Sequence, residues 1–220
     1  MSEAAEPLER SLETIATRLG LPMPPEQIDR LLGYLALLQR WNRTYNLTAV
    51  REPAEMVRQH LADCLAVIGP LRRALESVAE PRLLDVGSGG GLPGVVIALM
   101  CPSWQVTCVD AVGKKAAFVR QVAAELRLQN LQAQHARAEF LPLGRYDLVT
   151  SRAFASLADF ARLTRHQLAN NGIWMAMKGK IPADELGELP SDVDVFHVEQ
   201  IEVPGLDVQR CLVWMRPRPG

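Results

Sequence analysis

The sequence predicts an α/β fold: a seven-stranded, mostly parallel, doubly wound sheet that ends in an antiparallel hairpin and is preceded by an N-terminal helical cap. Three observations lead there. Residues 83–94 read Leu-Leu-Asp-Val-Gly-Ser-Gly-Gly-Gly-Leu-Pro-Gly, an apolar strand, a glycine turn and a helix start. From residue 82 onward, apolar runs alternate with helical patterns, which is the signature of parallel strands joined by crossover helices. The last two apolar runs are joined only by Pro204-Gly205-Leu206-Asp207, too short for a crossover, so they pair antiparallel.

The elements follow in order. Leu8 to Leu19 is amphipathic and stops at Gly20, before Pro22-Met23-Pro24-Pro25. Ile28, Leu31, Leu32, Leu35, Leu38 and Trp41 recur at helical spacing, and a polar turn is expected over Asn42 to Thr48. Pro53 opens another helix carrying Met56, Val57, His60, Leu61, Cys64 and Leu65. Strands are expected at 82–86, 104–109, 131–135, 146–151, 171–178, 194–203 and 208–215. Helices are expected near 93–100, 113–127, 156–168 and 182–188. The division is thus a helical cap over 1–80 and a sheet domain over 81–220, forming one compact unit. Trp41 and Tyr45, four apart, are expected to dock the cap.

Composition narrows the class. At 220 residues and 48% hydrophobic content the chain suits one α/β domain with an appendage. No apolar run is long enough to span a membrane. The opening MSEAAEPLER is acidic and polar, unlike a signal peptide. Cys64, Cys101, Cys108 and Cys211 have no paired or zinc-like spacing and read as reduced core residues of a cytoplasmic protein. His135, His166 and His197 have no ligand-like spacing either, so no metal is inferred. Net charge is −1, but residues 181–220 hold eight acids and three arginines, leaving the rest basic. The lysines come in two pairs, Lys114/Lys115 and Lys178/Lys180, both near strand carboxyl ends, where open sheets bind ligands.

The glycine loop lets backbone N–H groups approach an anionic ligand at a helix start. Asp85 lies under the loop. Asp110, ending the next strand, is placed to bond ribose hydroxyls. These features point to a nucleoside-containing cofactor. Gly89 to Gly94 also fits G-x-G-x-x-G, so a nicotinamide dinucleotide stays open as an alternative. The D-x-G-x-G-x-G form resembles motif I of S-adenosylmethionine-dependent methyltransferases, where the acid supports a loop holding the cofactor's methionine end. Seven strands with a terminal hairpin then match the arrangement of a Rossmann-like class I methyltransferase.

Several segments together resemble one family. They are Trp41-Asn42-x-x-Tyr45-Asn46-Leu47-Thr48, His60-x-x-Asp63, the glycine loop, Gly113-Lys114-Lys115, Ser151-Arg152-Ala153-Phe154-Ala155-Ser156-Leu157, Met177-Lys178-Gly179, and Pro204 to Asp207 with Arg210. From about residue 28 to 215 the chain is similar to the GidB/RsmG family. Cys64 stands where that pattern has serine. The resemblance implies an S-adenosyl-L-methionine-dependent enzyme that methylates N7 of a guanine in the 530 loop of bacterial 16S ribosomal RNA. The partner is then that RNA in the small ribosomal subunit or its precursor, and the enzyme a monomer. A small-molecule or protein substrate stays open as the alternative.

The chemistry agrees. Guanine N7 has a free lone pair, so alignment rather than a general base is required. The segment after the fourth strand lacks the [DN]-P-P-[YF] motif of exocyclic-amine methylation and the Pro-Cys of cytosine-C5 methylation. Gly87, Gly89 and Leu92 are expected at the methionine end and Asp110 at the ribose. The resemblance adds Ala138 and Glu139 at the adenine. Arg152, at the mouth of the fourth strand, is expected beside the methyl group and in contact with the cofactor. Arg137, Lys178 and Arg210 are expected to converge as a basic funnel, with Lys114 and Lys115 on phosphates. His60 is expected either to be a core histidine partnered by Asp63 or to line the pocket. Asn46 is either a turn residue or an RNA contact.

Overall fold

A computed structural model describes residues 7–152 and 154–218. Residues 1–6, on which the signal-peptide reading partly rests, and Ala153 of the fourth-strand motif lie outside the described residues.

The N-terminal third is helical: α1 (Leu8–Arg18), α2 (Pro25–Tyr45), α3 (Pro53–Met56), α4 (Asp63–Leu65) and α5 (Ile68–Ala74). Pro25 starts α2 with its fixed backbone angle. The expected turn at Asn42 is replaced by one more turn of helix. Asn42 is buried, and its side chain accepts from the Thr48 N–H at 2.9 Å. It therefore shapes the following loop without leaving the helix, which ends at Asn46 in a left-handed conformation. Between α3 and α4, Val57–Ala62 forms a π-helical segment, a distortion common at functional sites.

The sheet contains β1 (Arg82–Val86), β2 (Gln105–Asp110), β3 (Leu131–His135), β4 (Tyr146–Ser151), β5 (Leu168–Lys178), β6 (Val193–Ile201) and β7 (Arg210–Pro217). Its order is β3-β2-β1-β4-β5-β7-β6. Strands β1 to β5 pair in parallel, and β7 pairs antiparallel with both β5 and β6. The predicted strands and the terminal hairpin are therefore present: β1, β3 and β4 have the expected bounds, and the ends of the others shift by at most three residues. Helices α6 (Gly94–Met100), α7 (Gly113–Glu125), α8 (Leu157–Thr164) and α9 (Ala183–Gly187) complete the layers. Ser156 caps α8 by accepting from the Asp159 N–H at 3.1 Å.

One continuous core runs from Leu12 and Leu31 in the helical segment through Val95 and Leu99 of α6 to Phe118 of α7. Trp41 packs on Phe118, with ring centroids 5.5 Å apart. Tyr45 stacks on Trp41 but is itself exposed, so Trp41 supplies the docking contact. All four cysteines are buried and unpaired. Among the described residues, no helix is long and apolar enough to cross a membrane.

Candidate functional site

The order in which strands are added reverses between β1 and β4, which lie side by side and parallel. In open α/β sheets the crevice at that switch point receives ligands. The Ser151 hydroxyl, ending β4, donates to the Val86 carbonyl, ending β1, at 2.8 Å. This ties together the two strand ends that carry the glycine loop and Arg152.

The glycine loop is shaped by two carboxylates. Asp85 is fully buried, and its Oδ2 accepts from the Gly94 N–H at 2.8 Å. Asp110 accepts from the Gly89 N–H at 2.9 Å and from the Val112 N–H at 2.8 Å. From the cap, the Tyr34 hydroxyl donates to the Gly90 carbonyl at 2.7 Å. The glycines divide the work. Gly87 and Gly89 have φ of 68° and 57°, conformations open to glycine at little cost. A β-carbon on Gly89 would meet nothing within 4 Å, so open space lies above the loop. On Gly94 it would lie 2.3 Å from Cys108 Sγ, so that glycine serves packing.

Two cavities open here. The first, about 170 Å³, is lined by Gly87, Ser88, Gly89, Gly90 and Leu92, by Leu47, Thr48 and His60 from the cap side, and by Lys115 and Arg152. The second is a groove of about 540 Å³, whose lining includes Gln59, His60, Asp63, Arg152, Lys178 and Arg210. His60 and Arg152 line both and form the boundary between them.

Asp63, missed as a groove residue at the sequence level, is its electrostatic centre. It is 1% exposed. Its Oδ1 accepts from Arg210 Nε at 2.7 Å and its Oδ2 from Arg152 Nη1 at 3.3 Å. The expected His60–Asp63 pairing is therefore absent. His60 Nε2 instead lies 2.8 Å from Thr48 Oγ1, and its buried Nδ1 has no partner. Burial, and then the charge of Arg152, push the His60 pKa below its ordinary value, so the ring is neutral at pH 7. The i, i+3 spacing of His60 and Asp63 indicated a shared face. It did not show that two arginines, 89 and 147 residues further on, would claim the carboxylate.

Other expected residues fall differently. Arg137 does not converge with Lys178 and Arg210. It follows β3, the far edge of the sheet, and its exposed side chain pairs with Glu139 at 3.5 Å. Lys178 lines the groove but is held at 2.8 and 2.9 Å by both Glu185 oxygens and is only 14% exposed. Its charge is already used to anchor α9. Asn46 is an exposed turn residue, 3.4 Å from Arg51, and does not line either cavity. Lys114 is exposed, whereas Lys115 turns toward the loop, with Nζ 4.0 Å from Asp110 Oδ2. The two lysines expected on phosphates therefore have different surroundings, and only Lys115 lies beside Asp110. Ala138 is buried in a 3₁₀ turn after β3, next to Glu139.

Burial raises the Asp85 pKa from 3.8 to about 7, against the lowering influence of the Gly94 N–H. Its Oδ1 is buried without a partner. The folded state therefore binds a proton between about pH 4 and 7 that the unfolded chain has released. By linkage, this group lowers stability as pH rises through that window. Asp85→Asn removes the effect, so the variant is expected to gain on wild type by about 3 kcal/mol between pH 4.5 and 7.5. Denaturant midpoints at the two pH values measure this, and an unchanged difference would contradict it.

A glycine loop at the switch point, an acid ending β2 and a seven-stranded sheet with a terminal antiparallel hairpin define a Rossmann-like class I methyltransferase. The fold is shared with TrmN from Thermus thermophilus (TM-score 0.56, 19% identity, 70% of this chain and 49% of that one). It is also shared with a SAM dependent methyltransferase from Aquifex aeolicus (TM-score 0.53, 15% identity, 74% and 98%). Residues 27–213 match the GidB family, described as rRNA small subunit methyltransferase G, and the chain belongs to that family. It is 62% identical to the ribosomal RNA small subunit methyltransferase G of Leptothrix cholodnii over 92% of this chain and 93% of that protein. The protein of the same name from Methylibium petroleiphilum is 57% identical over 96% and 95%.

Proposed function

We propose that this chain transfers a methyl group from S-adenosyl-L-methionine to N7 of a guanine in the 530 loop of 16S ribosomal RNA, in the cytoplasm, with the assembled small subunit as the preferred substrate. Family membership supports the reaction. The observation that carries the site reading is the pair of cavities bounded by His60 and Arg152. The small cavity suits the methionine end of the cofactor, with Gly87, Gly89 and Leu92 around it. The open space above Gly89 lets backbone N–H groups approach a carboxylate. Asp110, which accepts from the loop's Gly89 N–H and has Lys115 beside it, would meet the ribose. Glu139 and the Ala138 backbone are assigned to the adenine.

When bound, S-adenosylmethionine would supply an electrophilic sulfonium methyl for the N7 lone pair, with S-adenosylhomocysteine as the leaving group and the positive charge ending on the purine. The chain's own task is alignment. Asp63, the acid lining the groove, is tied to two guanidiniums and is not a free base. Neutral His60 leaves the boundary between the cavities uncharged on its side. Arg152 and Arg210 offer planar donors to a phosphate or to the guanine edge and face.

The reading is tested by equilibrium binding of S-adenosylmethionine against NAD, followed by transfer of labelled methyl to small subunits. Binding of NAD alone, or label that reaches no RNA, would reject it. The lysine pair gives a sharper expectation. Lys114→Ala should lower the log–log salt slope of subunit binding by roughly 0.7–0.9 for each phosphate it no longer neutralises, with cofactor affinity unchanged. Lys115→Ala should instead weaken the cofactor. Equal behaviour of the two variants in cofactor titration would contradict their placement.

A further inference from the structure

The groove concentrates cationic side chains next to the small cavity assigned to a cationic ligand. Arg152 comes from the end of β4, Arg210 from the start of β7, and Asp63 from the segment following the π turn of the cap. Two guanidiniums share one carboxylate, so the cluster carries a net charge of +1 rather than +2. The other charges nearby add little. Lys178 is neutralised by Glu185, Lys115 of the small cavity is balanced by Asp110 at 4.0 Å, and the His60 ring, which lines both cavities, is uncharged. Asp63 is therefore the group that sets the balance. At 1% exposure its field is poorly screened by water.

We infer that Asp63 is a positioning residue that offsets the charge of Arg152 and Arg210, so that a sulfonium cation is tolerated beside them. The inference rests on the reading of the small cavity as the cofactor site. It separates two functions of the same carboxylate. One is to aim both guanidiniums into the groove, which any strong acceptor can do. The other is to supply negative charge, which only an ionised acid can do. The two natural ligands of the site distinguish them. S-adenosylmethionine carries a positive sulfur, while its product S-adenosylhomocysteine has a neutral thioether and is otherwise alike. A loss of packing or aim weakens both ligands together. A loss of charge balance weakens only the cation.

The test is calorimetric titration of full-length protein with each ligand, without RNA. Asp63→Asn keeps the shape and one of the two acceptor oxygens, sets an amide N–H against the other guanidinium, and raises the cluster charge by one. It is expected to lower the ratio of S-adenosylmethionine to S-adenosylhomocysteine affinity by about tenfold, the scale for one unit charge at a partly buried site. Arg152→Gln lowers the cluster charge by one and is expected to move the ratio the other way. This second variant keeps the inference testable if Asp63→Asn does not fold. Unchanged ratios, or parallel weakening of both ligands, would overturn it. A wild-type protein that binds neither ligand would overturn the cofactor reading and this inference with it.

Discussion

Arg152→Ala is expected to lower the single-turnover rate of methyl transfer by about 2 kcal/mol or more, roughly thirtyfold, while the protein stays folded. Arg152 lines both the cavity over the glycine loop and the groove, so it is the side chain best placed to order both reacting ends. Its removal leaves Asp63 with Arg210, 2.7 Å away, so the buried carboxylate keeps a strong partner. The stability loss should therefore stay below the roughly 3–5 kcal/mol typical of stranding a buried charge. Lysine is expected to rescue poorly, because a point charge cannot reach Asp63 and the groove at once as a planar fork does. Single-turnover kinetics with saturating cofactor measure the effect. A near-wild-type rate for the alanine variant would contradict the assignment.

The second large effect separates two glycines of one loop. Gly89→Val is expected to abolish S-adenosylmethionine binding and leave the fold intact. Its φ of 57° costs a β-branched residue roughly 1–3 kcal/mol, and the side chain projects into the open space assigned to the ligand. Gly94→Ala is expected to do the reverse. Its β-carbon would lie 2.3 Å from Cys108 Sγ and 2.9 Å from Asp85 Oδ2, in a place with no room to yield. The cost should reach about 3 kcal/mol. Thermal unfolding and cofactor titration of both variants read the contrast. Binding retained by Gly89→Val, or a Gly94→Ala protein as stable as wild type, would contradict it.

The sheet was legible because strand and helix periods differ and because a four-residue connection between the last two strands admits only a hairpin. The glycine loop and its two acids were legible because few other uses justify several glycines between a strand and a helix. What sequence could not show was which strand ends become neighbours. Arg137 follows β3 and Arg210 begins β7, and only the order β3-β2-β1-β4-β5-β7-β6 shows that one is remote from the groove and the other in it. Charge pairing was equally hidden. Lys178 reads as a free cation until Glu185, seven residues on, folds back over it. Asp63 reads as a helix neighbour of His60 until two distant arginines meet on it. Lys114 and Lys115 look alike in sequence, but adjacent positions on a helix point about 100° apart, so one faces Asp110 and the other solvent.

The most direct measurement is mass mapping of modified guanine in 16S ribosomal RNA after small subunits lacking the modification are incubated with S-adenosylmethionine, with and without this protein. The expected result is one added methyl on N7 of a single guanine in the 530 loop, present only with the protein and formed roughly thirtyfold more slowly with Arg152→Ala. A methyl group elsewhere in the RNA, or none despite measurable cofactor binding, would contradict the account.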